Sequence, residues 1–299
     1  ADKYHVPRIC FINKLDRMGA NFDKAYDTIV NRLSKKAVRM HMPIGAEENF
    51  NGVIDLLIMK EAKFEGDKGK DVSFTDIPAE FLEEAKARRA EMIEKIVETD
   101  EAMMTAYLEG KEFTAEELKP VIRKAVIANE LFPVFCGSAL KNKGVQLVLD
   151  AVIDYLPSPL DIPAPRGINP NTGEQVEVEV SDTAPLSALA FKVQSDPFVG
   201  QLTFFRVYSG TLTAGSYIYN STKDTKERVS RIVRMHADQR EEVKEVYAGE
   251  IAAAVGLKDT VTSDTMCTEE KPVILEKIVI PEPVISMRIE PKTKADQEK

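Results

Sequence analysis

Two short apolar runs in the chain end abruptly in small polar residues. They span residues 9–12 and 131–136, and unbroken apolar runs of this length are typical of strands buried on both faces of a parallel sheet. Each run is followed by a stretch in which apolar residues recur at helical spacing, over residues 22–33 and 145–156. The pattern therefore predicts two strand-helix units of one α/β domain.

The stretch between these units, residues 41–122, has a different pattern. Phe50-Asn51-Gly52-Val53 is a hairpin signal that leads into the apolar run 53–59, so a small sheet is expected. Thr114-Ala115-Glu116-Glu117 fits the capping box of a later helix. Pro120 either kinks that helix or marks its true start.

Charge also separates this stretch from its neighbours. Residues 1–40 contain nine Lys/Arg and four Asp/Glu, whereas residues 41–122 contain ten Lys/Arg and twenty Asp/Glu. Such asymmetry indicates a separate module. We expect an acidic α+β subdomain at 41–122, inserted into an α/β domain that consists of residues 1–40 and 123–160.

The second half of the chain predicts a β-domain. Five prolines between residues 157 and 170 indicate a stiff linker, and beyond it short β-rich runs alternate with glycine-bearing turns. Residues 161–283 are therefore expected to form a small barrel or sandwich, with a barrel as our prediction. Residues 284–289 predict a further strand, and we expect 284–299 to be the start of a truncated third domain.

Composition excludes several classes of function. The 299-residue chain has no apolar stretch long enough to span a bilayer and opens with no secretory leader, so a membrane protein is not expected and a cytoplasmic one is. A net charge of -9 argues against sequence-blind nucleic-acid binding by the whole surface. The three cysteines and three histidines are scattered, so no disulfide framework and no metal site is predicted.

Asn13-Lys14-Leu15-Asp16 follows the first predicted strand, at the sheet edge where open α/β folds bind ligands. The Asp16 carboxylate is suited to accept hydrogen bonds from N1–H and the exocyclic amine of guanine, a donor pair that adenine lacks. Asn13 is expected to tie adjacent loops together, with the aliphatic stem of Lys14 along the purine. Taken alone, the motif is equally compatible with a polar turn.

Gly137-Ser138-Ala139-Leu140 follows the second predicted strand in the same way. Small residues there allow the backbone to approach a base, and we expect the Ala139 N–H to point at guanine O6. Alone, this segment is more often a plain strand-to-helix turn. Both motifs at corresponding strand ends of one sheet favour nucleotide recognition.

Several motifs together resemble the bacterial elongation factor G family, and the likeness runs through essentially the whole chain. The segments that show it are Phe11-Ile12-Asn13-Lys14-Leu15-Asp16-Arg17, Pro43-Ile44-Gly45-Ala46-Glu47, Phe135-Cys136-Gly137-Ser138-Ala139, Arg234-Met235-His236-Ala237, Arg240-Glu241-Glu242 and Ile289-Glu290-Pro291-Lys292. The resemblance implies a ribosomal translocase that couples GTP hydrolysis to movement of tRNA and mRNA. The positions that match the family's guanine-reading residues are Asn13, Lys14, Asp16, Ser138, Ala139 and Leu140.

The phosphate-binding loop of that family, Gly-x-x-x-x-Gly-Lys-[Ser/Thr], occurs nowhere in the sequence. Such loops supply the electrostatic stabilisation of phosphoryl transfer. We therefore expect an internal fragment of a P-loop-type GTPase that holds the guanine-specificity loops for GTP or GDP, contains no catalytic residue and hydrolyses nothing by itself. Mg²⁺ is expected only together with the missing loop.

The resemblance also implies partners. It assigns residues 41–122 to the stalk protein of the large ribosomal subunit and the β-barrel domain to ribosomal RNA, with tRNA and mRNA as indirect partners. The arginines proposed for RNA phosphates are Arg228, Arg231, Arg234 and Arg240. Solvated glutamates and solvated arginines remain the plain alternatives.

Two other functions stay open at the level of sequence. One is a ribosome-docking module without nucleotide chemistry. The other is a sister translational GTPase, such as a ribosome-protection or peptide-release factor. The segment Gly45-Ala46-Glu47 favours elongation factor G over these sister factors.

Overall fold

The computed structural model divides into two compact units, unit 1 (Ala1–Pro157) and unit 2 (Ser158–Lys299). The residues that it describes are 1–196, 200–237, 239–278, 284–288 and 290. Within these ranges no helix combines the length and the apolar character needed to cross a membrane.

Unit 1 mixes strands and helices. Its elements in chain order are β1 (Cys10–Ile12), α1 (Phe22–Arg32), β2 (Ala37–Arg39), β3 (His41–Ile44), β4 (Gly52–Asp55), β5 (Lys60–Glu65), β6 (Asp71–Thr75), α2 (Ala79–Val97), α3 (Glu101–Leu108), α4 (Ala115–Ile127), β7 (Phe132–Cys136) and α5 (Val145–Tyr155).

The two predicted strand-helix units are confirmed and share one parallel sheet. Strand β7 lies between β1 and β2, and the register pairs Phe11 with Phe135 and Ile12 with Cys136. Every residue of β7 is buried, as expected for a strand covered on both faces. Helix α1 begins after Asn21, whose side chain accepts a hydrogen bond from the Lys24 N–H.

The apolar face predicted for the last helix of unit 1 is partly wrong. The sequence pattern predicts a face made of Val145, Val148, Leu149, Val152, Ile153 and Leu156. In α5 the buried residues are Leu147, Ala151 and Tyr155, whereas Leu149 and Ile153 are 60% and 76% exposed. The apolar arc of this helix is wider than the surface it packs against, and the stripe at spacing i, i+4, i+8 faces the core. The number of apolar residues alone does not show which part of this arc packs against the rest of the unit.

The inserted stretch contains a four-stranded antiparallel sheet in the order β3-β4-β5-β6, followed by α2, α3 and α4. The predicted Asn-Gly turn is wrong, because Gly52 already lies in β4 and pairs with Ile44. The turn is the longer loop 45–51, and β4 ends at Asp55, whose side chain accepts a hydrogen bond from the Leu57 N–H. A side-chain turn therefore interrupts the predicted apolar run.

The capping box of α4 is confirmed. The Thr114 hydroxyl accepts from the Glu117 N–H at 3.3 Å, and the Glu117 carboxylate accepts from the Thr114 N–H at 3.0 Å. The helix begins at Ala115 and continues through Pro120. Pro120 therefore does not mark its start.

Unit 2 is rich in strands. In chain order they are β8 (Arg166–Ile168), β9 (Gln175–Glu177), β10 (Ser187–Asp196), β11 (Gly200–Ser209), β12 (Leu212–Thr213), β13 (Tyr217–Asn220), β14 (Thr225–Arg228), β15 (Arg231–His236), β16 (Gln239–Val243), β17 (Glu245–Val246), β18 (Ile251–Val255), β19 (Thr265–Cys267) and β20 (Ile274–Leu275).

Eight of these strands form one antiparallel sheet in the order β14-β13-β19-β10-β11-β18-β15-β16. The predicted β-rich domain is confirmed, but over the described part of unit 2 the pairings run in line from β14 to β16 and do not close a barrel. Both end strands were absent from the sequence prediction, since their charged sequences show no apolar alternation. They are held by ladder hydrogen bonds to neighbouring strands.

The predicted strand at 284–289 does not appear at residues 284–288, which have no regular secondary structure. Ile289 and residues 291–299, with the rest of the expected third domain, lie outside the described residues.

Candidate functional site

The two loops that carry the predicted guanine motifs are adjacent. We call residues 13–17, after β1, site loop 1, and residues 137–143, after β7, site loop 2. Because β1 and β7 are parallel neighbours, both loops emerge at the same edge of the sheet. Backbone hydrogen bonds join them, from the Gly137 N–H to the Ile12 carbonyl at 3.1 Å and from the Leu15 N–H to the Gly137 carbonyl at 3.2 Å.

Asn13 ties the two loops together, as the sequence predicted. Its Oδ1 accepts from the Lys14 N–H at 2.7 Å and from the Ala139 N–H at 2.9 Å. The Ala139 N–H, which we expect to point at guanine O6, donates to Asn13 in this structure, and its contact with a base stays a prediction. A side-chain acceptor in the opposite loop competes for a donor that sequence reasoning had treated as available.

Asp16 lies beside site loop 2 as well. The neighbouring Ser138 hydroxyl is the main cause that holds the pKa of Asp16 below its ordinary value. Ser138 itself is fully buried, and its Oγ accepts from the Lys141 N–H at 3.2 Å. Asp16 is therefore an ionised carboxylate beside site loop 2 at neutral pH. One serine donor leaves most of its lone pairs for other partners.

The remaining two predicted residues lie at the surface of the site. Lys14 is exposed and has a left-handed backbone with φ of 68°. Leu140 is 87% exposed and so does not pack into the domain. The structure thus brings Asn13, Asp16, Ser138 and Ala139 into one bonded group and leaves Lys14 and Leu140 at its solvent-exposed border.

Gly137 is required by the tight turn of site loop 2. A Cβ at this position would lie 2.2 Å from the Lys143 carbonyl oxygen and 3.0 Å from the Phe11 ring. The close approach accompanies a two-way bridge in which Ser138 and Lys143 exchange backbone hydrogen bonds at 2.9 Å. A side chain at 137 would therefore displace Ser138, the residue whose hydroxyl lowers the pKa of Asp16.

Sequence reasoning missed one contact of the site. The Glu47 N–H donates to the Leu15 carbonyl at 2.9 Å, and its carboxylate accepts from the Gly19 N–H at 2.7 Å. Glu47 comes from the β3–β4 loop of the inserted stretch. The Pro43–Glu47 motif resembles a segment of a known family, but no periodicity or spacing in the sequence predicts its contact with site loop 1.

The arginines proposed for RNA phosphates differ in their surroundings. Arg234 forms an ion pair with Glu250 at 2.6 Å, Arg240 pairs with Asp196, and the Arg228 Nε–H donates to a backbone carbonyl at 3.1 Å. Arg231 is exposed on β15. Three of the four therefore already bind atoms of this chain.

No group of three or more His, Cys, Asp or Glu side chains is placed to hold a metal ion in the part of the chain that the structure describes.

Comparison with known proteins finds a matching family in each of the two units. The family described as "Elongation factor Tu GTP binding domain" matches residues 1–158, and the family described as "Elongation factor Tu domain 2" matches residues 200–267. A crystal structure of a protein from Thermus thermophilus is 26% identical with a TM-score of 0.74, over 100% of this chain and 42% of that one. The first match covers more than half of the 299 residues, and the chain belongs to the GTP-binding domain family of the translational GTPases.

Proposed function

We propose that the chain is the guanine-reading part of an elongation factor G-like ribosomal translocase, which uses GTP to move tRNA and mRNA in the cytoplasm. The observation that supports this most directly is the junction of the two site loops. Asn13 links them by accepting from the Ala139 N–H, and the Ser138 hydroxyl beside Asp16 lowers the pKa of its carboxyl group. The chain spans 42% of the related Thermus structure, so the activity of a whole protein is part of the proposal.

The base is read by hydrogen bonds from both loops. Asp16 accepts from N1–H and the exocyclic amine of guanine, and leaving these acceptors without donors makes adenine unfavourable. Lys14 lies over the ring by its aliphatic stem, with Ser138, Ala139 and Leu140 on the opposite loop. For the Ala139 N–H to donate to guanine O6, it has to be shared with Asn13 or released by it.

We assign no phosphate-binding or hydrolytic role to the residues of this chain. Because the sequence has no Gly-x-x-x-x-Gly-Lys-[Ser/Thr] segment, we propose that this chain alone does not hydrolyse GTP and that Mg²⁺ binds only where such a loop is present. The residues of this chain bind and orient the base.

The ribosome contacts are proposed from charge and exposure. Helix α2 carries the exposed Glu91 and Glu94, and the exposed Glu98 caps its C-terminus, which suits a lysine-bearing stalk protein of the large subunit. Of the three, Glu91 also pairs with Arg39 at 3.1 Å. In unit 2, Arg231 is the arginine best placed to meet an RNA phosphate without breaking a bond to this chain. Reversal of the three glutamate charges is expected to weaken stalk-protein binding, whereas unchanged affinity makes them a solvated face.

The base assignment is tested with the chain itself. Amide NMR spectra are recorded during titration with GMP, with AMP as the matched purine control. We expect GMP to shift the signals of Asp16, Ser138 and Ala139 at concentrations where AMP does not. The Asp16→Asn variant should favour XMP, since xanthine has a carbonyl where guanine has its amine and an amide complements it.

Two outcomes would overturn the proposal. Equal shifts with GMP and AMP remove the base specificity and favour a ribosome-docking module without nucleotide chemistry. Guanine binding that is undiminished in Asp16→Asn shows that this carboxylate does not read the base.

A further inference from the structure

The inserted sheet presents two of its loops to the site. Consecutive antiparallel strands reverse direction, so the β3–β4 loop (residues 45–51) and the β5–β6 loop (residues 66–70) lie at the same end of the sheet. We call them insertion loops 1 and 2. Each forms hydrogen bonds with one or both site loops, in addition to its own strands.

Insertion loop 1 contacts site loop 1 and the residues directly after it. The Glu47 N–H donates to the Leu15 carbonyl at 2.9 Å, while the Glu47 carboxylate accepts from the Gly19 N–H at 2.7 Å. Glu47 has a left-handed backbone with φ of 55°, and Gly45 approaches the Asn49 carbonyl so closely that a Cβ would lie 2.1 Å from it. The loop is thus tightly folded around this pair of contacts.

Both insertion loops also accept hydrogen bonds from site loop 2 and the helix that follows it. The Asn142 side-chain amide donates to the Lys68 carbonyl at 3.1 Å, and the Gln146 amide donates to the Gly69 carbonyl at 2.8 Å. The Lys143 ammonium donates to the Phe50 carbonyl at 3.1 Å. Three donors near one site loop therefore end on backbone carbonyls of the insertion.

An apolar cluster joins these groups below the surface. Leu15 of site loop 1 belongs to one cluster with Phe50 of insertion loop 1, Phe64 of β5, and Cys136 and Leu147, which flank site loop 2. All five are at most 8% exposed. Movement of either insertion loop away from the site therefore opens a packed core as well as breaking hydrogen bonds.

We propose that insertion loops 1 and 2 clamp the two site loops, and that Glu47 and Asn142 are positioning residues for the base. The proposal rests on the guanine function proposed above and adds the inserted module to it. Site loop 1 extends from a strand of three residues, so its own ladder gives it little order. The Glu47 contacts order site loop 1 and the Asn142 contact fixes site loop 2 before a ligand arrives, which lowers the entropy lost on binding.

Linkage makes the effect mutual. If the clamp favours the base, a bound base stabilises the clamp by the same factor. Addition of GMP should therefore slow hydrogen exchange at the Gly19 and Glu47 amides, which lie in the contact and do not touch the base in the proposed site. A clamp without any coupling to the site leaves these two amides unchanged.

The test compares variants of Glu47 in the GMP titration. Glu47→Ala removes the acceptor for the Gly19 N–H and is expected to weaken GMP binding about fivefold, the effect of one net hydrogen bond. Glu47→Gln keeps an acceptor oxygen and should stay within about twofold of wild type. The matched control is Glu48→Ala, which removes an exposed neighbouring carboxylate and should bind GMP as wild type does.

Asn142→Gly provides the second variant, since glycine accepts the left-handed backbone (φ of 51°) at this position while the amide is lost. We expect weaker GMP binding and faster amide exchange in insertion loop 2. If wild type binds no GMP, the proposed function fails. If wild type binds GMP and folded Glu47→Ala and Asn142→Gly bind it equally well, the clamp is refuted while the base site stands.

Discussion

Asp16 in unit 1 and Glu227 in unit 2 are both carboxylates whose pKa is lowered by donors from a separate loop, but the chain uses their acceptor capacity very differently. Glu227 is 8% exposed and accepts from the Lys258 and Asp259 N–H groups at 2.6 and 2.9 Å, and from the Thr260 hydroxyl. Burial alone would raise the pKa of Glu227. The donors from Asp259, Thr260 and Lys258 outweigh it and hold that pKa below the ordinary value.

Asp16 also has a lowered pKa, yet it is only half-buried and the neighbouring Ser138 hydroxyl is the main cause of the shift. A carboxylate offers about four lone-pair sites. Glu227 uses three of them for donors of its own chain, so it fixes the connection after β18 to β14 as a structural tie. Among the residues that the structure describes, no such set of donors from this chain occupies the Asp16 carboxylate, and this spare capacity is what the proposed base-reading role requires.

Glu227→Ala is expected to have the largest effect. It leaves two part-buried N–H groups and one buried hydroxyl without their acceptor, and we expect the free energy of unfolding of unit 2 to fall by about 3 kcal/mol. Urea unfolding followed by amide NMR signals of unit 2 measures this. Asp16→Ala is the matched control in unit 1. It should leave the unfolding midpoint of unit 1, followed by amide signals of that unit, near wild type. Equal destabilisation by the two variants would contradict the distinction.

The tie at Glu227 was not predictable from the sequence. Strand β14, which carries it, is a run of charged residues without apolar alternation, and its partners are 31 to 33 residues further along the chain. The site loops were predictable because each follows a fully apolar strand. Their junction through Asn13 follows from parallel pairing, whereas the contact of Glu47 depends on how the inserted sheet folds back.

Gly137→Ala tests the tight turn of site loop 2. The new Cβ would meet the Lys143 carbonyl at 2.2 Å, so backbone has to move, and we expect a loss of about 2 kcal/mol in unit 1. Ser138 would shift away from Asp16 and GMP binding should weaken. Gly110→Ala tests backbone strain alone, since its φ of 85° is unfavourable for alanine but no atom lies within 4 Å. It should cost less stability and leave GMP binding unchanged.

The pH dependence of unfolding separates the two carboxylates further. A lowered folded pKa means that Glu227 stabilises unit 2 fully above its unfolded value of 4.5 and loses this contribution as the pH falls below it. The gap in stability between wild type and Glu227→Ala should therefore be largest near neutral pH and shrink in acid. The corresponding gap for Asp16→Ala should be small at every pH. If the difference in stability between wild type and Glu227→Ala grows in acid, the pKa of Glu227 is not lowered in the folded state.

The same reasoning explains which elements of the insertion were predictable. The capping box of α4 is local, since Thr114 and Glu117 satisfy each other within one turn. The Asn-Gly hairpin failed because Gly45 and the tight loop around Glu47 place the turn earlier in the chain. Local hydrogen bonds can be read from spacing, whereas a loop shaped by contacts with another element cannot.

Thr114→Ala is expected to cause the smallest loss of stability among these substitutions. Glu117 is an exposed carboxylate with a lowered pKa, caused first by Lys111 and then by the Thr114 N–H, so like Glu227 it is bound by its own chain. Because solvent replaces lost partners at an exposed helix end, removal of the Thr114 hydroxyl should lower the stability of unit 1 by about 1 kcal/mol. Thr114→Ser keeps the hydroxyl and should restore most of it in urea unfolding. A loss as large as that of Glu227→Ala would show that burial is not what separates a structural carboxylate from a surface one.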